Sequence, residues 1–96
     1  MPSADMIMTS SLALLETDST QRCCTATVGR NPLLRVTNVG VNAVRVGVKG
    51  STLAAVGTPT QADGQCDIAA GAHVFFTAAF EYKSTSDSSL RVEALP

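Results

Sequence analysis

The sequence predicts an all-β protein, a small antiparallel β-sandwich or jelly-roll-like domain with an extended N-terminal arm. Apolar residues recur at every second position in several short runs, and no window keeps the i, i+3, i+4, i+7 spacing of an amphipathic helix. Charged residues make up only 16% of the chain, against about 25% in typical soluble domains. The 96 residues suit one domain, which we assign to residues 11–96, with residues 1–10 as the arm.

The clearest pair of predicted strands spans residues 33–38 and 43–49. Leu34 and Val36 alternate with polar neighbours in the first run, and valines occupy positions 44, 46 and 48 in the second. The Asn- and Gly-containing connection between them suits a tight turn. We therefore expect a β-hairpin with one valine face and one basic face, the latter carrying Arg35 and Arg45.

A second pair of strands is predicted at the C-terminal end. Residues 73–82 alternate as one strand that is apolar on much of both faces, with Phe75 on the outer one. Such a strand is usually central in a sandwich, or its outer face packs on a partner chain. A polar loop over residues 83–89 then precedes a final strand over 90–95.

The remaining segments have weaker patterns. Residues 11–15 and 20–28 are strand-like around a turn, with a short helix at 12–15 as an alternative. The pattern over residues 51–66 predicts one short strand near residues 53–56, followed by a long loop. Met6, Ile7 and Met8 are apolar in an otherwise polar arm, so we expect the arm to order on a neighbouring subunit.

Charge and hydropathy argue against nucleic acid and membrane partners. Seven Lys and Arg residues stand against eight Asp and Glu residues, and the basic residues are scattered rather than clustered. The longest apolar stretch, residues 68–80, is interrupted and falls short of the roughly 18 to 20 residues that span a bilayer. The N-terminus lacks the basic region of an export signal. Three cysteines, two of them adjacent, favour reduced thiols over a disulfide framework.

No motif in the chain predicts catalysis, a cofactor or a metal site. His73 is the single histidine and has no identifiable catalytic partner, and Cys66 with His73 is an incomplete zinc set. Cys23 and Cys24 are adjacent, so a strand would point them to opposite faces. Glu81 and Glu93 are candidates for a carboxylate pair, but aromatic residues make up only 4% of the chain, too few for a sugar-binding platform. We expect a protein that is not an enzyme.

The order of turns and strands over residues 33–95 resembles that of small structural proteins of tailed bacteriophages. The resemblance rests on LLRVTNVGVNAVRVGVKG, then DIAAGAHVFFTAAF, then SLRVEAL at the end of the chain. In those virion proteins a V-T-N-x-G turn precedes a valine-rich strand, an I-x-A-G turn leads into the next strand, and a short L-x-V strand ends the chain. The part before residue 33 has no counterpart in this pattern.

The resemblance implies a head decoration, or cement, subunit that binds the major capsid protein lattice on the outside of the virion after synthesis in the bacterial cytoplasm. Because a chain of 96 residues buries only a thin core, we also expect a homo-oligomer, with a trimer favoured over a dimer. We expect the partner contacts to include residues of the arm, the hairpin and the apolar strand, together with the loop over residues 58–67. These residues are Met6, Ile7, Met8, Arg35, Arg45 and Phe75. The alternative is a small β-sandwich binding module, lectin-like or associated with adhesion or the phage tail.

Overall fold

The computed structural model describes residues 5–59 and 64–95, which form nine β-strands and no helix. In chain order the strands are β1 (Met6–Met8), β2 (Leu12–Thr17), β3 (Arg22–Ala26), β4 (Leu33–Asn38), β5 (Val44–Gly47), β6 (Cys66–Ile68), β7 (His73–Thr77), β8 (Ala79–Ser84) and β9 (Ser88–Leu95). The fold class predicted from the alternating pattern is therefore confirmed as all-β.

The strands form two sheets that pack face to face. The five-stranded sheet has the order β1-β3-β8-β5-β6, and the four-stranded sheet has the order β2-β9-β4-β7. Neighbouring strands are antiparallel except that β1 runs parallel to β3. The pairs β2 with β9, β3 with β8, β4 with β7 and β5 with β6 are nested in the sequence, which is the strand order of a jelly roll.

The core lies between the two sheets and is filled by the inward-facing residue of each alternating pair. Its buried members are Met8, Leu15, Cys24, Ala26, Leu34, Val36, Val44, Val46, Ile68, Phe80, Tyr82, Leu90 and Val92. Both sheets contribute, because a sandwich of this size has one apolar layer that the two inner faces share.

The predicted hairpin of residues 33–49 is wrong, although both of its strands exist. β4 belongs to the four-stranded sheet and β5 to the five-stranded sheet, so the two do not pair. The connection at residues 39–43 carries the chain across the core instead of turning it back in the same sheet. Leu34 and Val36 then face Val44 and Val46 from opposite sides of one core. Alternation alone fits either arrangement, because it fixes only which side chains are buried.

The single strand predicted over residues 73–82 is also interrupted. Ala78 has a positive φ of 65°, and the chain passes there from β7 in one sheet to β8 in the other. The alternation of inward and outward side chains continues across Ala78. Phe76 and Phe80 both point inward and stack with their ring centroids 5.3 Å apart.

The strands β2 and β3 confirm the predicted strand character of residues 11–15 and 20–28, and β2 extends to Thr17. Residues 12–15 are strand rather than helix. Residues 53–56 form no strand, but the Leu53 side chain is buried. The described part of the predicted arm is an edge strand of the same subunit: β1 pairs with β3, and Met8 enters the core. Residues 1–4 of the predicted arm lie outside the described residues.

Asn38 fixes the point where the chain leaves β4 and crosses the core. Its side chain is fully buried and donates through Nδ2 to the carbonyls of Asn42 and Ile68, each at 2.8 Å. Its Oδ1 accepts from the backbone N–H of Gly40 and from the hydroxyl of Ser88, each at 3.0 Å. One buried amide therefore ties together β4, the crossing, β6 and β9, with its hydrogen-bonding capacity used.

Gly40 occupies a position in the crossing that has no room for a side chain. A Cβ there would lie 2.1 Å from Ser88 Oγ and 2.6 Å from the backbone nitrogen of Ser89. We predict that Gly40→Ala lowers the free energy of unfolding by about 1–3 kcal/mol, because β9 must shift to admit the methyl group. Urea denaturation measures the loss. The matched control is Val41→Ala, since Val41 is 86% exposed in the same connection and should change stability little. Equal stability of the two variants would contradict the close approach.

Candidate functional site

The two sheets differ in what covers their outer faces. Residues 48–59 leave β5 and fold back over the outer face of the five-stranded sheet, where Leu53 is 3% exposed. Gln21 holds this loop through its side-chain amide, donating to the carbonyl of Ser51 at 2.7 Å and accepting from the N–H of Leu53 at 2.9 Å. Glu81 accepts from the N–H of Gly50 at 3.0 Å. The loop therefore covers the part of this face formed by β5 and β8 with contacts inside the subunit.

Arg45 lies beneath this loop and is 1% exposed, so the expectation of an exposed basic face carrying Arg45 is wrong. Its Nη2 donates to the carbonyl of Ala55 at 2.8 Å and to the carbonyl of Thr58. Its Nε lies 3.0 Å from Oδ1 of Asp67, and the other oxygen of that carboxylate accepts from the N–H of Gly57 at 2.8 Å. The guanidinium thus joins β5, β6 and the covering loop.

We predict that Arg45→Met releases the covering loop and lowers the free energy of unfolding by about 3 kcal/mol, because the carbonyls and Asp67 lose their buried charged partner. Urea denaturation and limited proteolysis within residues 48–59 measure the two effects. The matched control is Arg91→Met, whose ion pair with Glu93 is partly exposed and should contribute little to stability. A loop that stays resistant to protease in Arg45→Met would contradict the role of this arginine.

The outer face of the four-stranded sheet is open along its centre. Arg35 on β4 forms a two-pronged ion pair with Glu93 on β9, Nε to Oε1 at 3.0 Å and Nη2 to Oε2 at 3.1 Å. Arg91 lies 3.5 Å from the same carboxylate. Hydrogen bonding from Arg35 lowers the pKa of Glu93 below its usual value, and the carboxylate in turn raises the pKa of Arg35. The centre of this face is therefore charged but internally compensated.

Large apolar side chains flank this charged centre. Leu12 and Leu14 on β2 are 53% and 67% exposed, and Phe75 on β7 is 49% exposed at the opposite edge. Leu33 on β4 is 44% exposed and lies beside the charged centre. The His73 ring meets the Phe75 ring edge-on, with centroids 5.3 Å apart. We call this surface of β2, β9, β4 and β7 the open face. Apolar groups beside compensated charges are typical of a surface that contacts another protein.

The structure separates the residues predicted as partner contacts. Arg35 and Phe75 lie on the open face, opposite each other in the register of β4 and β7. Met6 and Ile7 are exposed on the edge strand of the other sheet, 36% and 63% respectively. Met8 is buried in the core and is not available to a partner. Arg45 is buried under the covering loop in the same way. The predicted contact loop over residues 58–67 includes residues 60–63, which lie outside the described residues.

Sequence reasoning missed the leucines of β2 as surface residues. The run L-A-L-L-E-T places Leu12 and Leu14 on the outside and Leu15 inside, so both faces of the strand carry leucine. Leucine on both faces of one strand is the sequence signal that could have identified Leu12 and Leu14 as surface residues. A strand with leucine on both faces has one face left over for a partner once the core is filled.

The structure does not bring together the carboxylates and cysteines that were considered for catalysis or metal binding. Glu81 lies on the five-stranded sheet under the covering loop and Glu93 on the open face of the other sheet, so they do not form a pair. Cys24 is in the core, while Cys23 points to the other face and lies 3.7 Å from the Thr25 hydroxyl. Within residues 5–59 and 64–95, no group of three His, Cys, Asp or Glu side chains is placed to hold a metal ion.

The three cysteines are free thiols, and burial raises the pKa of each. The pKa of Cys24 rises to about 12, so this thiol stays protonated at neutral pH and is a poor nucleophile. We predict that alkylation of the folded protein at about pH 8 modifies partly exposed Cys66 first and leaves Cys24 intact, whereas alkylation in urea modifies all three. Mass spectrometry of the peptides identifies the modified sites. Rapid modification of Cys24 in the folded protein would contradict its placement in the core.

Comparison with protein families, with curated proteins and with solved structures finds no match to this chain. Among the described residues there is no helix with the length and apolar character needed to cross a membrane.

Proposed function

We propose that the chain is a structural subunit that binds a protein lattice, and specifically a decoration subunit on the exterior of a tailed-phage head. One observation carries the proposal. The subunit covers the β5 and β8 part of one outer sheet face with its own loop and leaves the other face open, with Leu33, Leu12 and Phe75 exposed around a compensated charge cluster. A jelly roll supports many functions, so the proposal rests on this surface together with the resemblance of the turn-and-strand pattern.

The chemistry of the open face suits contact with another folded protein. Arg35 and Arg91 stand with Glu93 and Glu16, two positive charges and two negative ones, so the face carries no excess of either sign among these groups. Because the Arg35–Glu93 pair is already formed, a partner need not supply a countercharge to it. The exposed apolar side chains then provide the area whose burial favours binding. A lattice of folded capsid subunits is a partner of this kind.

Co-sedimentation with empty heads of its source phage tests the proposal. We predict that the purified chain sediments with heads, and that Leu33→Asp lowers its affinity at least tenfold by placing a carboxylate in the contact. The control is Val41→Asp, because Val41 is more exposed but lies in the connection outside the sheet. Thermal unfolding of each variant confirms that it is folded. Failure of the wild-type chain to bind heads, or equal binding by Leu33→Asp, would overturn the proposal.

A further inference from the structure

Within residues 5–59 and 64–95, no strand pairs with the two outer edges of the four-stranded sheet, and the backbone groups of these edges have a defined pattern. The N–H of Ala94 donates to the carbonyl of Ser11 at 2.9 Å, so in β2 the residues at odd positions hydrogen-bond to β9. Leu12, Leu14 and Glu16 therefore direct their N–H and C=O groups away from β9, toward the edge where the sheet ends. The Ser10 hydroxyl contacts the carbonyl of Leu12.

The opposite edge, β7, has the same pattern. The N–H of Ala78 donates to the carbonyl of Pro32, and the N–H of Asn38 donates to the carbonyl of Ala72, each at 2.9 Å. The even positions of β7 therefore hydrogen-bond to β4. His73, Phe75 and Thr77 direct their backbone groups outward to the second edge. Their side chains are all exposed.

The two edges are compatible with each other in direction. Neighbouring strands in the order β2-β9-β4-β7 are antiparallel throughout, so β2 and β7 run in opposite directions. A second copy placed beside the first in the same orientation would set its β2 antiparallel to β7. The open faces of both copies would then lie on the same side of one continuous sheet.

We propose that copies of this chain assemble by pairing β2 of one subunit with β7 of the next. The register that matches their side chains places Leu14 opposite Phe75, Glu16 opposite His73 and Leu12 opposite Thr77. It joins the most exposed leucine of the sheet to its exposed aromatic ring. It also places a carboxylate beside an imidazole N–H that can donate to it. Each of these residues directs its backbone groups to the interface, so they form hydrogen-bonded cross-strand pairs.

The edges of the other sheet are less suited to pairing. β1 and β6 are three residues long, whereas β2 has six residues and β7 has five. In β6 the Asp67 carboxylate is occupied by Arg45 and by the N–H of Gly57. Short, blunted edges are the ordinary protection against pairing, and β2 and β7 have less of it.

This pairing joins two different edges, so it is heterologous. An open assembly has one unused β2 edge at one end and one unused β7 edge at the other until it closes, and two copies in the same orientation in one sheet leave both of these edges unpaired. The assembly is therefore a ring of at least three copies or an open filament. The inference rests on the proposed function in taking the subunit to be an assembling one. It concerns contacts between copies, which form without heads.

Light scattering of the purified chain tests the inference without any phage component. We predict a mass of at least three times the 9.9 kDa of one chain. Leu14→Lys and Phe75→Lys should each reduce that mass at the same concentration, because each places a charge on one edge. The matched control is Ile7→Lys, on the edge strand of the other sheet, which should leave the mass unchanged.

A mixture of the two edge variants distinguishes edge pairing from misfolding. Leu14→Lys keeps an intact β7 edge and Phe75→Lys keeps an intact β2 edge, so equal amounts should form a one-to-one dimer and stop there. A monomeric or dimeric wild-type chain would overturn the inference, as would loss of assembly in Ile7→Lys alone. Edge variants that are folded by circular dichroism but form no dimer when mixed would also overturn it. Failure of head binding with the ring intact would overturn only the proposed function.

Discussion

The burial of Arg45 determines which surface this subunit presents. A guanidinium on the outer side of β5 would ordinarily remain in water, but here the covering loop supplies carbonyls and Asp67 supplies a carboxylate. A buried charge needs such partners because its desolvation is costly. Once the loop is held over the five-stranded sheet, that face is used inside the subunit. The four-stranded sheet exposes Leu12, Leu14, Leu33 and Phe75, whereas the five-stranded sheet exposes Met6 and Ile7 on its edge strand. The proposed contacts follow from this asymmetry.

The centre and the edges of the open face have different properties. Its centre carries the Arg35–Glu93 ion pair, which is satisfied within the subunit and suits contact with a folded partner across the face. Its edges carry backbone groups that have no neighbouring strand in the described chain, and side chains that match those of the opposite edge. Binding to a lattice uses the side chains that point out of the face, whereas pairing between copies uses the backbone groups of the two edges, and Leu12 and Phe75 contribute to both. Subunits can therefore pair edge to edge while the centre of the open face stays accessible to a lattice.

Much of the fold was predictable from the sequence, because alternation identifies which side chains are buried. The alternation placed Leu34, Val36, Val44 and Val46 on apolar faces of their strands, and all four are buried. Alternation does not identify the sheet to which a strand belongs, so the crossings after β4 and at Ala78 were predicted as a hairpin and a continuous strand. The burial of Arg45 was not predictable from the sequence either. Its burial depends on carbonyls ten and thirteen residues away, which no local pattern indicates.

Amide hydrogen exchange at low and high protein concentration tests most directly the claim that the four-stranded sheet is the surface of contact. We predict that a higher protein concentration slows exchange at the amides of Leu14, Glu16 and Phe75, which point out of the isolated sheet. Amides of the covering loop should be equally protected at both concentrations, because Arg45 holds that loop within one subunit. Concentration-dependent protection confined to β1 and the covering loop, with unchanged exchange in β2 and β7, would show that the four-stranded sheet is not the surface of contact.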